Sequence, residues 1–307
     1  MRGDSDNRDP TPSIRSPVFE TMTTAAYWIA WRIVRFLPIG LARRIFAWLG
    51  IIAYHRGGKL IEQLRKNLEI VTGKSDEELE VLVKAGLVSY GRYWAEAFQL
   101  PSYSDSKVNS LVDIKNPERL LEPLKHGQGV VVAVAHLANW DLAGRWFAMQ
   151  AGEVITVAER LKPTKLFEAF LRYRKSIGLV AYPAKDRATV PALKQALEAG
   201  KLVALVADRD MSSSGIEVQF CGETCTMPAG PASLAYATNS VLTTACLFNT
   251  PSGLGGYIDE PIVFDMSLSR DAAIRQATQE MADRFTKYVQ SHPADWHVLQ
   301  RLWRDHA

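Results

Sequence analysis

The stretch VVVAVAHLANWDLAG, residues 130–144, runs from unbroken apolar residues into a cluster holding His136, Asn139, Trp140 and Asp141. An imidazole with a carboxylate nearby is the basis of general-base chemistry. The carboxylate fixes the tautomer on one ring nitrogen and leaves the other free to take a proton from a hydroxyl. On one continuous helix, residues five apart point about 140° away from each other, so His136 and Asp141 could not cooperate there. If His136 ends a strand and Asn139 to Asp141 turn into a helix, the carboxylate can fold back to the ring. Strand ends are also where open parallel sheets bind ligands. The same residues would equally suit a core strand, a turn and Asp141 as a helix cap.

Three later stretches carry further polar groups. VAERLKP places Glu159 and Arg160 after an apolar run, FLRYRKSIGL brings Arg172, Arg174 and Lys175, and VADRD holds Asp208, Arg209 and Asp210, with Glu217 and a Gly230-Pro231 turn beyond. Charged residues at three strand ends on one sheet edge are hard to explain as ordinary solvated surface. No G-x-S-x-G elbow is present, so a serine nucleophile is not indicated. His136 has no second histidine at metal-ligand spacing, and His292 and His297, among tryptophans, read as structural. The three cysteines, Cys221, Cys225 and Cys246, form no zinc pattern and cannot all pair.

Positioning these groups falls to the elements around them. From residue 130 onward, short β-branched runs (GVVVAVAH, EVITVAE, KLVALVAD, VLTTACLF) alternate with helical stretches at 163–177 and 189–199. That alternation predicts an α/β fold with a central, mostly parallel sheet flanked by helices. A last helix is expected from about Arg270 to Ser291. Ser75, with Glu78 three positions on, predicts a capping box at the start of a helix. Residues 1–18, rich in Pro, Ser, Asp and Arg, are expected to be disordered, with the rest a single domain.

Bulk composition is ordinary: 307 residues, 47% hydrophobic, 22% charged, net charge +3. The charge is too small to argue for nucleic acid. Residues 24–54 are expected to form two amphipathic helices either side of Pro38, with Trp28, Trp31, Phe36, Ile45, Phe46, Trp48 and Leu49 on apolar faces and Arg32, Arg35, Arg43 and Arg44 between. The arginines and the proline argue against a membrane span. The pattern predicts a region lying on an anionic membrane surface, against the alternative of a core-packing pair with solvated arginines.

Taken together, HLANWD, AERL, ADRD, G-x-E-V-x-F-x-G, MPAGPASLA and HPADWHVLQRLW resemble the bacterial lipid A biosynthesis (lauroyl/myristoyl) acyltransferase family, over about residues 28–303. Asp141 and the VADRD block look most like its actinobacterial phosphatidylinositol mannoside branch. Ala138, where glycine is usual, and Cys221, where phenylalanine is common, depart from the pattern without touching its polar groups. The resemblance implies a glycerol-3-phosphate acyltransferase-like fold and transfer of a fatty acyl chain, palmitoyl in this branch, from acyl-CoA to a mannose hydroxyl. His136 would be the base and Asp141 would orient it, with no resident cofactor or metal. Glu159 and Arg174 are implied pocket residues, Arg174 for donor phosphate or oxyanion charge, and Asn139, Asp208 and Arg209 are further candidates for substrate contact. Glu217 or Asp210 would supply the second acid, and Gly230-Pro231 would shape a turn beside the acyl pocket. The cations Arg160, Lys162, Lys165, Arg172, Arg174 and Lys175 could meet coenzyme A, or equally an acyl carrier protein as in the lipid A branch. The implied setting is peripheral, on the cytoplasmic face of the plasma membrane. A non-catalytic lipid-binding domain is the alternative that the polar cluster argues against.

Overall fold

A computed structural model describes residues 32–160, 163–210 and 214–303. The tail at 1–18, together with Trp28 and Trp31, lies outside the described residues. The central element is β2 (Val130–Val134), every residue of which is buried. Such a run cannot alternate apolar with polar, because a parallel strand packed with helices on both faces has no solvent side. β2 pairs in parallel with β5 (Leu202–Val206) on one side and β8 (Val241–Asn249) on the other.

Beyond β5 come β3 (Val154–Ala158) and β4 (Leu179–Pro183). Beyond β8 come β9 (Leu254–Ile258) and β1 (Val112–Lys115), giving the order β1-β9-β8-β2-β5-β3-β4. Among the described residues of this sheet only the β8–β9 pairing is antiparallel, so the five adjacent strands from β8 to β4 run one way. The expected mostly parallel α/β sheet is present. β6 (Ile216–Phe220) and β7 (Glu223–Met227) form a separate hairpin. Its turn residues Cys221 and Gly222 both have positive φ, +54° and +85°, as a two-residue hairpin connection requires.

Helices cover both faces. In chain order they include α1 (Ile39–Arg56), α2 (Lys59–Thr72), α3 (Asp76–Gln99), α4 (Asp105–Leu111), α5 (Glu118–Lys125), α6 (Trp140–Ala151), α7 (Thr164–Ser176), α8 (Thr189–Glu198), α9 (Gly230–Thr238) and α10 (Arg270–Ser291). The expected capping box does not form. Ser75 donates its hydroxyl to the adjacent Asp76 and Glu78 pairs with Lys74, leaving the first turn without a side-chain cap.

α1 and α3 meet backbone to backbone. A Cβ at Gly50 would come within 2.7 Å of the Leu87 carbonyl oxygen, and one at Gly91 within 2.6 Å of the Phe46 carbonyl oxygen. Phe46 packs edge-on against Phe98, and Arg43 turns inward, so neither belongs to the outer face expected of them. That face instead carries Phe36, Leu41, Ile45, Trp48 and Leu49, with Phe36 76% and Trp48 61% exposed. Among the described residues no helix is long and apolar enough to cross a membrane.

Candidate active site

Register builds the site. Val134 lies opposite Val206, so two residues further on His136 and Asp208 leave adjacent parallel strands side by side. His136 Nδ1 and Asp208 Oδ1 are 2.5 Å apart, and the His136 backbone N–H donates to Asp208 Oδ2 at 2.9 Å. A third donor, the Trp296 indole N–H, reaches the same Oδ2 at 2.8 Å. Burial alone would push the Asp208 carboxyl up, but the imidazole and these hydrogen bonds hold it below its ordinary value. With Nδ1 engaged, Nε2 is the ring nitrogen left for a substrate. Asp208, expected to contact substrate, is fully enclosed and serves the histidine instead.

Asp141 therefore does not orient His136, which is a correction. The turn carries Asp141 into the interior, where its Oδ1 lies 3.2 Å from Arg174 Nε and its Oδ2 accepts from Tyr93 at 3.0 Å and Tyr173 at 3.4 Å. Arg174 is itself 6% exposed, with its guanidinium over the Phe170 ring. Burial would lower the Arg174 value, yet the Asp141 charge outweighs it and the group stays above its usual range. Burial and the same carboxylate hold Tyr93 well above its ordinary value. Arg174 is thus locked into an internal pair rather than offered to a phosphate.

Asn139 is also enclosed. Its Oδ1 caps α6 by accepting from Leu142 N–H at 3.0 Å, and its Nδ2 donates to Glu96 at 2.9 Å. Both ends of the amide are used inside the protein, so Asn139 shapes the turn instead of touching substrate. Glu96 in turn pairs with Arg43 of α1 and Arg92 of α3. The helix cap is Asn139, not Asp141. Ala138, where glycine is usual, sits at φ +49°, the left-handed region that favours glycine.

The remaining candidates spread outward. Glu159 and Arg209 form a 2.9 Å ion pair across the ends of β3 and β5, with the Glu159 side chain 57% exposed. Asp210 is half-buried and lines a groove with Arg209. Glu217 is exposed on the β6–β7 hairpin and makes no hydrogen bond to the histidine. Strand alternation explains it: Val218 and Phe220 turn to the core, so Glu217 turns away. Neither Glu217 nor Asp210 supplies the acid paired with His136; Asp208 does. Of the expected cations, Lys165, Arg172 and Lys175 are exposed on α7 and Arg160 pairs with Asp186, while Lys162 lies outside the described residues.

Two concavities flank the sheet. A narrow cavity of about 50 Å³ lies between α6 and the face bearing Val132, Val134, Ala204 and Val206, and is lined almost wholly by apolar groups. His136 continues the row of Val132 and Val134, and its ring meets Trp140, another cavity residue, edge-on at 5.6 Å. On the opposite face, α8 and α9 border an open groove of about 540 Å³ with Lys185, Lys194 and Arg270 among its walls. Gly230 and Pro231 line this groove and not the apolar cavity.

Sequence reasoning gave no role to Tyr93, Glu96, Asp295 or Trp296. HPADWH was a visible signal for the last two, and nothing marked the others. His297 is buried with its Nε2 2.9 Å from Ser89, and burial lowers it to about 4; His292 stacks on Phe248. The three cysteines are free and buried, and burial raises each thiol to about 12. Among the described residues no group of histidines, cysteines and carboxylates could hold a metal ion.

A strand-end histidine, fixed by a buried carboxylate beside an apolar cavity, has the geometry of a general base. The chain matches the bacterial lipid A biosynthesis acyltransferase family over residues 11–305 and belongs to it. It is 38% identical over 296 residues, 95% of each chain, to a phosphatidylinositol mannoside acyltransferase of Mycolicibacterium smegmatis. It is 40% identical over 295 residues, 94% of this chain and 91% of the other, to one of Mycobacterium tuberculosis.

Proposed function

We propose that the protein moves a fatty acyl chain, palmitoyl above others, from acyl-CoA to a mannose hydroxyl of a phosphatidylinositol mannoside, with no resident cofactor. The observation that carries this reading is the His136–Asp208 pair at the edge of the apolar cavity. The names of the mycobacterial relatives support the choice of acceptor.

In this mechanism His136 Nε2 takes the acceptor hydroxyl proton as the oxygen attacks the thioester carbonyl. The tetrahedral intermediate then collapses, the carbon–sulfur bond breaks, and the imidazolium returns the proton to the departing thiolate. Asp208 keeps the ring in the tautomer that bares Nε2 and offsets the transient positive charge. General-base assistance of this kind is worth about 10²–10⁴-fold. The cavity takes the acyl chain, Glu159, Arg209 and Asp210 border the approach of the polar substrates, and Lys165, Arg172 and Lys175 attract the anionic donor.

The protein works as a peripheral enzyme on the cytoplasmic face of the plasma membrane. The exposed row of Phe36, Leu41, Ile45, Trp48 and Leu49, with Arg35 and Arg44 exposed beside it, supports an anionic lipid surface as its seat. The test is thiol release from palmitoyl-CoA with and without mannolipid, with mass spectrometry of the lipid product. Release that depends on mannolipid, with an added palmitoyl mass, is expected. Turnover only with acyl carrier protein in place of coenzyme A would transfer the donor role to that carrier.

A further inference from the structure

The carboxylate that holds His136 has a support of its own, contributed from the far end of the chain. We propose that Trp296 is a positioning residue of the acid–base pair: its indole N–H holds Asp208 in the orientation that presents Oδ1 to His136. This rests on the reading of His136 as the base.

The geometry is specific. Asp208 Oδ2 accepts from the Trp296 indole at 2.8 Å and from the His136 backbone at 2.9 Å, which leaves Oδ1 to face the ring. Trp296 and Asp208 are both 0% exposed, so no water can stand in for the indole. The segment carrying Trp296 is also fastened to the backbone of His136 and of the two residues that follow it. Ala138 N–H donates to Asp295 C=O at 2.8 Å, His297 N–H donates to His136 C=O at 2.8 Å, and Leu137 bridges Trp296 in antiparallel fashion. Asp295 is anchored in turn by Ser89 and by Asn249 at 2.6 Å.

Other groups around the pair do different work. His297 and Cys225 are the titratable neighbours facing His136 and Asp208, and burial keeps the first neutral and the second protonated at physiological pH. Trp140 meets the imidazole with its ring. Trp303 belongs to the same aromatic cluster, stacked on Phe220 at 5.7 Å and 6.3 Å from Trp296, but does not reach Asp208. It is the matched control for a purely packing role.

The test compares Trp296→Phe, Trp303→Phe and a protein carrying 3-benzothienylalanine at position 296, which keeps the two-ring shape and replaces the N–H with sulfur. Two readouts are taken: the acid limb of kcat/KM against pH, and the His136 Nδ1 proton resonance. Loss of the indole donor concentrates charge on Asp208. Both position-296 proteins should show the resonance further downfield, the acid limb moved to higher pH, and kcat lower by about tenfold with KM little changed, the loss expected of one hydrogen bond to a charged group. Trp303→Phe should leave resonance and limb in place. A wild-type resonance and limb in the benzothienyl protein would overturn the assignment. His136→Ala is assayed alongside; if it still turned over, the reading of the base would fall, and the Nδ1 resonance alone would decide the role of Trp296.

Discussion

His136 and Asp208 stand at matching places, two residues past the paired ends Val134 and Val206 of neighbouring parallel strands, so backbone register alone brings the imidazole to its carboxylate. Asp208→Asn keeps the shape but removes the charge and lets the amide present N–H groups to Nδ1. The expected outcome is a fall in kcat of about 10²–10⁴-fold with little change in KM. His136→Ala should abolish transfer while leaving the fold intact. Steady-state thiol release with circular dichroism of both variants checks this, and wild-type turnover in either would refute the roles given.

Asp141 is expected to act on stability. Asp141→Asn leaves the Arg174 guanidinium buried without its counter-charge, a loss of about 3–5 kcal/mol for breaking a buried pair. Because replacing a whole buried pair with apolar groups is often neutral, the double variant Asp141→Asn, Arg174→Met should recover much of the lost Tm. Thermal denaturation of the two variants decides the matter; a double variant no better than the single one would contradict it.

Ala138 holds φ +49° with its side chain enclosed. A left-handed residue with a Cβ costs roughly 1–2 kcal/mol, and glycine escapes that cost. Ala138→Gly should therefore raise Tm by a few degrees, with kcat close to wild type. A lower Tm would show that the Cβ packing outweighs the strain.

The sign of the pH dependence follows from His297, whose value falls from 6.5 in the unfolded chain to about 4 in the fold. Between those limits the unfolded chain binds the extra proton, so stability is full above pH 6.5 and declines as pH falls toward 4. The decline amounts to roughly 3 kcal/mol at most. His292, also lowered by burial, adds to it. Denaturant titrations at pH 7 and pH 5 should show a smaller difference for His297→Gln than for the wild type. An equal difference would remove His297 from the account.

Trp48→Glu, on the outer face of α1, should weaken cosedimentation with anionic vesicles several-fold, and added salt should weaken wild-type binding as well. Binding indifferent to salt, lipid charge and Trp48 would leave the exposed row without a membrane role.

The strands β2, β3, β5 and β8 were legible because a parallel sheet buried on both faces demands short runs of apolar, β-branched residues. α10 was legible from its length and periodicity. β4 and β9 were not: Leu179–Pro183 ends on proline, and Leu254–Ile258 has two glycines and little apolar run. His136 was found because a polar ring after an unbroken run of apolar residues is conspicuous. Its partner was misassigned because chain proximity favoured Asp141, whereas strand order, which no local pattern encodes, put β5 beside β2. Asn139 and Arg174 read as substrate groups because polar residues in a motif invite that reading. Both are consumed by internal contacts that become visible only once α3 and α7 are in place.

The two glycine contacts between α1 and α3 have a geometric consequence. With Gly50 seated on the Leu87 carbonyl and Gly91 on the Phe46 carbonyl, α1 cannot roll about its own axis without driving atoms into each other. The compass bearing of Leu41, Ile45 and Trp48 is thereby fixed relative to the sheet. Through Arg43, Glu96 and Asn139 it is fixed relative to the turn after β2 as well. If that row rests on a lipid surface, it acts as a keel: the height and tilt of His136 above the surface are built into the helix contact and need no adjustment when the protein lands.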